Sequence, residues 1–429
     1  MEIDQSKLNR QNLFIDKWVA NKGIGTLVAC TGFGKTYAAM LIMQRMQKRF
    51  PNRKFHIVVP KIELKLQWEE LLKELKLSNA EVSVINGLVL RKKKIKVDLL
   101  ILDEIHRYPS DSFYKLFELI EYTFILGLTA TIERLDGKHT LVEEKAPVLD
   151  TISLMEAKRK GWVSDFREYN LPTPYTEADQ KEYAQVNKSF HYYFSFFQHN
   201  FNRLLAARQG DKEVLLDTQL LFDIDKDTAY KMSVMAMQFM HKRKSLLQLA
   251  SGKRRAIIDI IKLNPDKKIL IFSESAKFAN IVAKDVNSIG EGRICMPFHV
   301  DIKAKKRRDA IRLYKSSKSK VRVLSTVKSL DEGFSEEDVE IAIIASGTSN
   351  PTQAVQRTGR AVRTHTFEDG SIKKAVVINL YVPDFNTPKG TVKSQDVKWL
   401  TKRQVKSFPI WVEDIDEIDF ETKFNKDDI

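Results

Sequence analysis

Cysteine is nearly absent from this sequence, with only Cys30 and Cys295 among 429 residues. Two thiols cannot build a disulfide framework or a cysteine zinc site, so we expect both to be reduced and expect no metal cluster. Long apolar runs are missing too: no segment approaches membrane-spanning length, and residues 1–10 lack the apolar stretch of a signal peptide. These absences predict a soluble cytoplasmic protein that has no membrane partner.

Acidic residues are also in deficit, since 56 Asp and Glu stand against 71 Lys and Arg, for a net charge of +15. Residues 413–429 oppose the trend with eight acids and two lysines, and this tail either docks on the body or stays in solvent. A body this basic attracts polyanions through counterion release. Nucleic acid is the commonest such partner, and charge alone does not distinguish DNA from RNA.

A glycine-containing loop follows the apolar run at residues 23–30 and precedes helix-forming residues. This setting is typical of a phosphate-binding loop, in which Gly32 and Gly34 permit a tight turn that aims backbone N–H groups at phosphate. Lys35 adds a compact positive charge, and Thr36 offers a hydroxyl to Mg²⁺. We therefore expect a nucleotide to be bound by Thr31, Gly32, Phe33, Gly34, Lys35 and Thr36.

Two adjacent carboxylates end a second apolar run, at residues 97–106. The run predicts a buried parallel strand, which would present its acids at the carboxyl edge of a sheet, where a phosphate-bound Mg²⁺ would lie. Asp103 would hold the metal directly or through water, and Glu104 would orient and deprotonate the attacking water. The alternative is an ordinary strand that ends in solvated acids.

Short apolar strands alternate with helical stretches in two parts of the chain, which predicts an α/β protein with two parallel-sheet lobes. The expected strands are residues 26–30, 55–60, 99–103 and 124–129 in the first lobe, and 268–273, 321–326, 339–345 and 374–380 in the second. We divide the chain into lobe 1 (1–150), a connector and helical accessory region (151–263), lobe 2 (264–385) and a C-terminal extension (386–429).

The region between the lobes predicts helices, because residues 176–263 lack strand periodicity. Its aromatic stretch, residues 189–202, favours a helix that packs against its neighbours, with base stacking or strand separation as the alternative. Residues 166–175 contain Pro172 and Pro174 and predict an extended connector.

A third pattern lies in the second lobe, where Gln356, Arg360 and Arg363 recur at a spacing of four and three. On a helix this spacing places one amide and two guanidiniums on the same face. Arginine directed at a nucleotide can neutralise the charge that develops on the γ-phosphate, so hydrolysis would require the lobes to close. A surface helix with scattered arginines is the alternative.

Together these patterns closely resemble a superfamily-two helicase or translocase, from about Leu8 to Asp384 apart from the helical insertion. The resemblance implies two tandem RecA-like lobes that use ATP and Mg²⁺. It implies that Gln11 recognises adenine and that Gly333 faces the nucleotide. It further implies contact with nucleic acid, or coupling to it, by Pro60, Gln67, Thr129, Thr131 and Thr326.

Residues 127–131, followed by Arg134, Asp136 and Gly137, resemble the branch that contains XPB-like helicases and the UvsW-type branch-migration helicases of phages. That branch implies an ATP-dependent DNA helicase that remodels duplex or branched DNA in recombination, repair or replication. A chain encoded by a bacterium, or by a phage in an infected cell, fits this branch. Three alternatives stay open: an RNA helicase, an ATP-gated nucleic-acid-binding protein without unwinding, and the motor subunit of a restriction nuclease with a partner chain.

The sequence departs from the family pattern in three places. The interval between Trp68 and Asp103 is short, and residues 84–88 stand where a threonine that contacts phosphate is expected. Little chain precedes Leu8, where the UvsW-type proteins carry a DNA-binding domain. Val362 replaces the second glycine of the arginine motif. The first two differences bear on substrate grip and leave the ATPase chemistry unchanged.

Overall fold

The computed structural model describes residues 4–91, 94–109, 113–133, 137–290, 292–327, 338–346, 359, 362–388, 390–407 and 409–423. Several residues singled out by the sequence lie outside these ranges, namely Arg134, Asp136, Gly333, Gln356 and Arg360.

The first lobe contains a six-stranded parallel sheet in the order β3-β2-β4-β5-β1-β6. Its strands are β1 (Ile24–Ala29), β2 (Phe55–Val59), β3 (Ala80–Val84), β4 (Ile95–Asp103), β5 (Ile120–Thr129) and β6 (Val148–Ile152). Strand β5 lies between β1 and β4, with Val28 opposite Thr129 and Asp103 opposite Leu128. The carboxyl ends of these three strands therefore meet at one edge of the sheet.

The helices of this lobe are α1 (Gln5–Ala20), α2 (Lys35–Arg49), α3 (Ile62–Glu74), α4 (Ile85–Arg91), α5 (Leu116–Leu119), α6 (Thr140–Glu143) and α7 (Leu154–Arg159). Helix α1 starts where the side chain of Asp4 accepts a hydrogen bond from the backbone N–H of Lys7. Helix α2 buries Ala38, Ala39, Ile42 and Met43, which recur at helical spacing and form its core-facing side. The alternation of strands and helices in the sequence also predicts a helical stretch at residues 110–121; within the described part, 113–121, only α5 is helical and β5 begins at Ile120, so the prediction is wrong for most of that part.

A seven-stranded parallel sheet forms the second lobe, in the order β15-β7-β12-β11-β8-β10-β9. Its strands are β7 (Asp165–Pro172), β8 (Ile269–Ser273), β9 (Cys295–Phe298), β10 (Val323–Val327), β11 (Ile341–Ile344), β12 (Lys374–Tyr381) and β15 (Ile410–Trp411). A separate hairpin is formed by β13 (Phe385–Thr387) and β14 (Gly390–Val392). All eight strands expected from the sequence overlap a strand of the structure, which confirms two tandem parallel-sheet lobes.

The predicted connector at residues 166–175 is corrected by the structure, because most of it is strand β7 of the second sheet. Strand β7 pairs with β12 over eight positions, from Asp165 with Lys374 to Pro172 with Tyr381. Its polar side chains are accommodated inside the sheet, where the Asn379 amide donates to Glu168 at 2.7 Å and to Asn170 at 2.9 Å. The segment that leads from the first lobe to the second is therefore a strand of the second sheet.

Helices α8 (Glu177–Ser195), α9 (Phe201–Arg208), α10 (Lys212–Phe222) and α11 (Lys226–Gln248) form the insertion. Among the residues that the structure describes, the longer helices of the second lobe and its extension are α12 (Ser251–Leu263), α13 (Ala276–Asn287), α14 (Ala304–Lys315) and α15 (Gln395–Ser407). Much of the aromatic stretch packs internally: Phe197 is fully buried, and Tyr193 stacks on Phe239 with ring centroids 5.5 Å apart. Tyr192 is an exception and is 59% exposed.

The part of the acidic tail that the structure describes is docked on the second lobe. Strand β15 pairs with β7, and Val412 and Ile418 are buried against the second core. Two lysines donate hydrogen bonds to backbone carbonyls of the tail, Lys267 to that of Phe420 and Lys374 to that of Thr422. Within the described ranges, no helix combines the length and apolar content needed to cross a bilayer.

Candidate nucleotide-binding site

The phosphate-loop residues form a tight turn between β1 and α2. Gly32 and Gly34 both have φ of +90°, a conformation that residues with side chains rarely adopt. Gly34 is the N-cap of α2 and provides no side-chain hydrogen bond, so the first N–H groups of the helix are left for an anion. The Lys35 ammonium donates to the Ala29 carbonyl at 2.8 Å and thus holds the loop closed on itself.

Gln11 of α1 is placed directly against this loop and is 2% exposed. Its amide nitrogen donates to the carbonyls of Phe33 at 3.1 Å and Gly34 at 3.3 Å. A Cβ on Gly34 would lie 2.8 Å from the same nitrogen, so a side chain at this position would displace the Gln11 amide. Gln11 therefore positions the loop, and its recognition of adenine stays a prediction.

Asp103 ends β4 at the same sheet edge and is almost fully buried. Trp68 Nε1 donates to one carboxylate oxygen at 2.9 Å, and the backbone N–H of Glu104 donates to the other at 3.0 Å. Burial, followed by the neighbouring Glu104 charge, raises the pKa of Asp103 to about 6. A nearby cation stabilises the ionised form of such a buried carboxylate, and the predicted metal role of Asp103 requires that form.

Glu104 has a left-handed backbone, with φ of +53°. Its Oε2 atom lies 3.3 Å from His106 Nδ1, which is also 2.9 Å from Thr129 Oγ1 at the end of β5. Burial disfavours the charged form of Glu104, but His106 and Lys35 outweigh this effect and lower its pKa. The carboxylate is therefore ionised, as a base must be before it accepts a proton.

Thr129 connects the Glu104 carboxylate to Thr131, a residue predicted to contact nucleic acid or to couple hydrolysis to it. The fully buried Thr129 hydroxyl donates to the Thr131 carbonyl at 2.7 Å, and the Thr131 N–H lies 3.3 Å from the same oxygen. A continuous set of contacts thus runs from Glu104 through His106 and Thr129 to Thr131. This is the arrangement expected if hydrolysis at one end is to change the chain conformation at the other.

The second lobe reaches the phosphate loop through the arginine segment. A Cβ built on Gly359 would lie 2.6 Å from Thr31 Cβ, so the Gly359 backbone approaches the Thr31 side chain at a distance that leaves no room for a larger residue. Three residues on, the carbonyls of Val362 and Arg363 each accept a hydrogen bond from Ser164 at 2.8 Å. The structure therefore places the described end of this segment beside the loop, whereas Gln356 and Arg360 lie outside the described residues.

The residues predicted to touch nucleic acid occupy different environments. Pro60 is buried just after β2, and Gln67 is exposed on α3. Thr326 is fully buried in β10, where its hydroxyl donates to the Ile271 carbonyl at 3.0 Å. This hydroxyl is therefore used within the sheet, and the contacts of all three residues with nucleic acid stay predictions.

The groups present fit a nucleotide with Mg²⁺. A glycine cradle and an uncapped helix terminus match a phosphate, and Lys35 is close enough to act electrostatically on both Asp103 and Glu104. Thr36 lies in the first turn of α2 on the same loop. We expect Asp103 and Thr36 to hold the metal, since Mg²⁺ prefers oxygen ligands that include one or two protein groups plus phosphate.

Several residues of the site were missed by the sequence reading, namely Lys7, Trp68, Trp162 and Ser164. The Lys7 ammonium donates to the Gly32 carbonyl at 2.7 Å, and the Trp162 ring lies edge-on to Phe33 with centroids 5.4 Å apart. No local pattern marks these residues, because each acts across more than 20 positions of sequence. Trp68 and Asp103 are 35 positions apart, and only the fold brings the Trp68 indole to this carboxylate.

Two family profiles match the chain and together cover more than half of it. One is described as the type III restriction enzyme res subunit and matches residues 5–97 and 88–134. The other is described as the helicase conserved C-terminal domain and matches residues 252–365. The two matches fall on the first and second lobes, on either side of the helical insertion.

One relative is similar to this chain in sequence, and two solved structures are similar to it in fold. The DNA 3'-5' translocase XPB2 of Sulfurisphaera tokodaii is 26% identical over 368 residues, covering 81% of this chain and 76% of the translocase. The Hef helicase domain of Pyrococcus furiosus has a TM-score of 0.56 at 14% identity, covering 92% of this chain and 97% of that domain. Dbp5 of S. cerevisiae, solved with RNA and ADP BeF3, has a TM-score of 0.56 at 15% identity, covering 94% and 89%.

Two lobes with a phosphate loop, an Asp-Glu pair and an arginine segment against that loop define a helicase-type motor ATPase. The profile matches and the translocase relative place it more closely: the chain belongs to the superfamily-two helicases. Members of this class use a nucleotide to act on nucleic acid.

Proposed function

We propose that this protein is an ATP- and Mg²⁺-dependent DNA translocase or helicase that remodels duplex or branched DNA. The observation that carries the proposal is the contact between Thr31 and Gly359, because it joins the two lobes at the phosphate loop. The choice of DNA is supported by the alignment with a DNA translocase over 81% of this chain. A role in recombination, repair or replication follows from the branch that the sequence resembles.

Bound ATP supplies a phosphoanhydride bond whose hydrolysis releases the free energy for movement. Lys35 would exchange its contact with the Ala29 carbonyl for a phosphate oxygen, and the N–H groups at the start of α2 would donate to the same group. Glu104, held ionised beside His106, would take the proton of the attacking water. Arg360 and Arg363 would offset the charge that develops on the γ-phosphate.

Hydrolysis would move the lobes because the two halves of the site belong to different sheets. Loss of the γ-phosphate removes the partner of the arginine segment and frees the second lobe to shift relative to the first. In the first lobe, the contacts from Glu104 to Thr131 would carry the change to the residues expected to grip the nucleic-acid backbone. One cycle would thus advance one lobe along the strand.

The test is the rate of ATP hydrolysis with single-stranded, duplex, forked and four-way DNA and with RNA of matched length. We expect DNA, and branched or duplex DNA above all, to stimulate turnover. Strong stimulation by RNA and none by duplex DNA would instead make the protein an RNA helicase. A second assay measures displacement of a triplex strand and migration of a four-way junction; hydrolysis without either would favour an ATP-gated binding protein.

A further inference from the structure

The short segment Trp162, Val163 and Ser164 joins α7 to β7 and contacts both halves of the nucleotide site. On the phosphate-loop side, the Trp162 ring packs edge-on against Phe33, with centroids 5.4 Å apart. Val163 Cγ1 lies 3.3 Å from the position that a Cβ on Gly32 would occupy. All three residues of the segment are at most 3% exposed, so these contacts are made in the protein interior.

On the opposite side, the same segment holds the backbone of the arginine motif. The Ser164 N–H donates to the Val362 carbonyl at 2.8 Å, and the Ser164 hydroxyl donates to the Arg363 carbonyl at 2.8 Å. Two successive peptide groups are thereby fixed by one residue. A displacement of Ser164 must either carry Arg363 with it or break both hydrogen bonds.

Helix α1 anchors the segment from a third direction. The Trp162 indole N–H donates to the Ser6 hydroxyl at 2.8 Å. The Lys7 ammonium donates to the Gly32 carbonyl at 2.7 Å and lies 3.4 Å from the Trp162 carbonyl. The tip of the phosphate loop and Trp162 are therefore tied to the same turn of α1.

We infer that residues 162–164 form a strut that sets the position of Arg363 according to the conformation of the phosphate loop. Three consecutive residues span at most about 10 Å, so the strut has little slack to absorb a movement at Phe33 before it reaches Ser164. Ser164 is then a positioning residue for hydrolysis, acting through the backbone of Arg363. The inference rests on the proposed ATPase function and adds a connection that the arginine motif itself does not reveal.

Ser164→Ala tests the strut, because it removes the hydroxyl donor and leaves the backbone hydrogen bond to Val362 in place. We expect kcat for ATP to fall about fivefold or more, as one lost hydrogen bond implies, while KM changes less than about twofold. Ser164→Thr keeps the hydroxyl and should restore most of kcat. If Ser164 only stabilised the fold, both variants would have a lower melting temperature. Their activity would then fall in proportion to the fraction of folded protein.

Tryptophan emission gives a second readout that does not depend on turnover. Addition of ADP or ATP should change the emission of the wild type and of Ser164→Ala, since Trp162 still packs on Phe33, and the change should be smaller in Trp162→Phe, where Trp68 at Asp103 is left to respond. A Ser164→Ala enzyme with wild-type kcat, or an emission change of wild-type size in Trp162→Phe, would overturn the inference. If Lys35→Ala also hydrolysed ATP normally, the proposed function itself would fail, so the two failures are distinguishable.

Discussion

Gly359 and Thr31, which are 328 positions apart, are so close that a Cβ on the glycine would lie 2.6 Å from the threonine Cβ. The pair joins the arginine segment of one lobe to the phosphate loop of the other. Because both partners present backbone or Cβ atoms, neither can swing aside as the end of a flexible side chain would. The closed arrangement of the nucleotide site therefore depends on this glycine.

Gly359→Ala is expected to push the arginine segment away from the phosphate loop and to lower kcat at least about tenfold, equivalent to about 1.4 kcal/mol of activation free energy. The global stability should change little, because the new methyl group can be relieved by lobe separation. Gly87→Ala is the matched control, since a Cβ there meets nothing within 4 Å. Steady-state ATPase rates without nucleic acid and thermal melts compare the two, and equal rates would contradict the steric argument.

Lys35→Ala should abolish ATP turnover, and Glu104→Gln should slow hydrolysis by about 10²–10⁴-fold while nucleotide binding is retained. The neighbours of Glu104 lower its pKa and keep it ionised, so the Gln variant removes the base without adding bulk. Binding of a fluorescent ATP analogue and single-turnover hydrolysis measure the two properties separately. Normal hydrolysis by Glu104→Gln would show that another group is the base.

Thr129→Val removes the hydroxyl that links His106 to Thr131 while preserving the shape of the side chain. We expect basal ATPase to persist within about threefold, whereas stimulation by DNA falls sharply because the two ends of the contact chain are uncoupled. Thr26→Val is the control, since Thr26 is an equally buried threonine on β1 whose hydroxyl donates to the Ala146 carbonyl at 2.7 Å. Equal loss of stimulation in both variants would argue against a specific link.

His56 predicts a measurable pH dependence of stability. It is 1% exposed, and burial lowers its pKa, so the unfolded chain accepts a proton near pH 6.5 that the folded chain resists. Its contribution to stability is complete above about pH 6.5 and falls with decreasing pH by up to about 1.4 kcal/mol per pH unit. Urea unfolding at pH 7.5 and 5.5 should show a smaller loss for His56→Leu than for wild type. His241→Gln, at an exposed position, should keep the wild-type slope.

The nucleotide half of the site in lobe 1 could be predicted from sequence because its chemistry is local. The residues from Thr31 to Thr36 and the pair Asp103 and Glu104 each lie within a few positions, and the end of an apolar strand marks where they emerge. Parallel strands then bring such ends to one edge, as the register of β1, β5 and β4 shows. These residues can be placed together without knowing which strands pair with which.

Strand β7 shows why other parts could not be predicted. Apolar periodicity failed there because Glu168 and Asn170 are polar residues inside a sheet, where each accepts a hydrogen bond from Asn379, about 210 positions away. The two prolines nearby reinforced the impression of a loop. Trp162 and Ser164 were missed for the same reason, since their partners belong to distant elements and exist only after the lobes have packed.

The most direct test of the two-lobed site is the effect of Arg363→Ala on turnover and on nucleotide affinity, measured on the same preparation. A composite site predicts that kcat falls by about 10³-fold, the scale of an arginine that stabilises a transferring phosphoryl group, while the Kd for ATP changes only a few-fold. Wild-type kcat in Arg363→Ala, with the fold intact by thermal melting, would contradict the account.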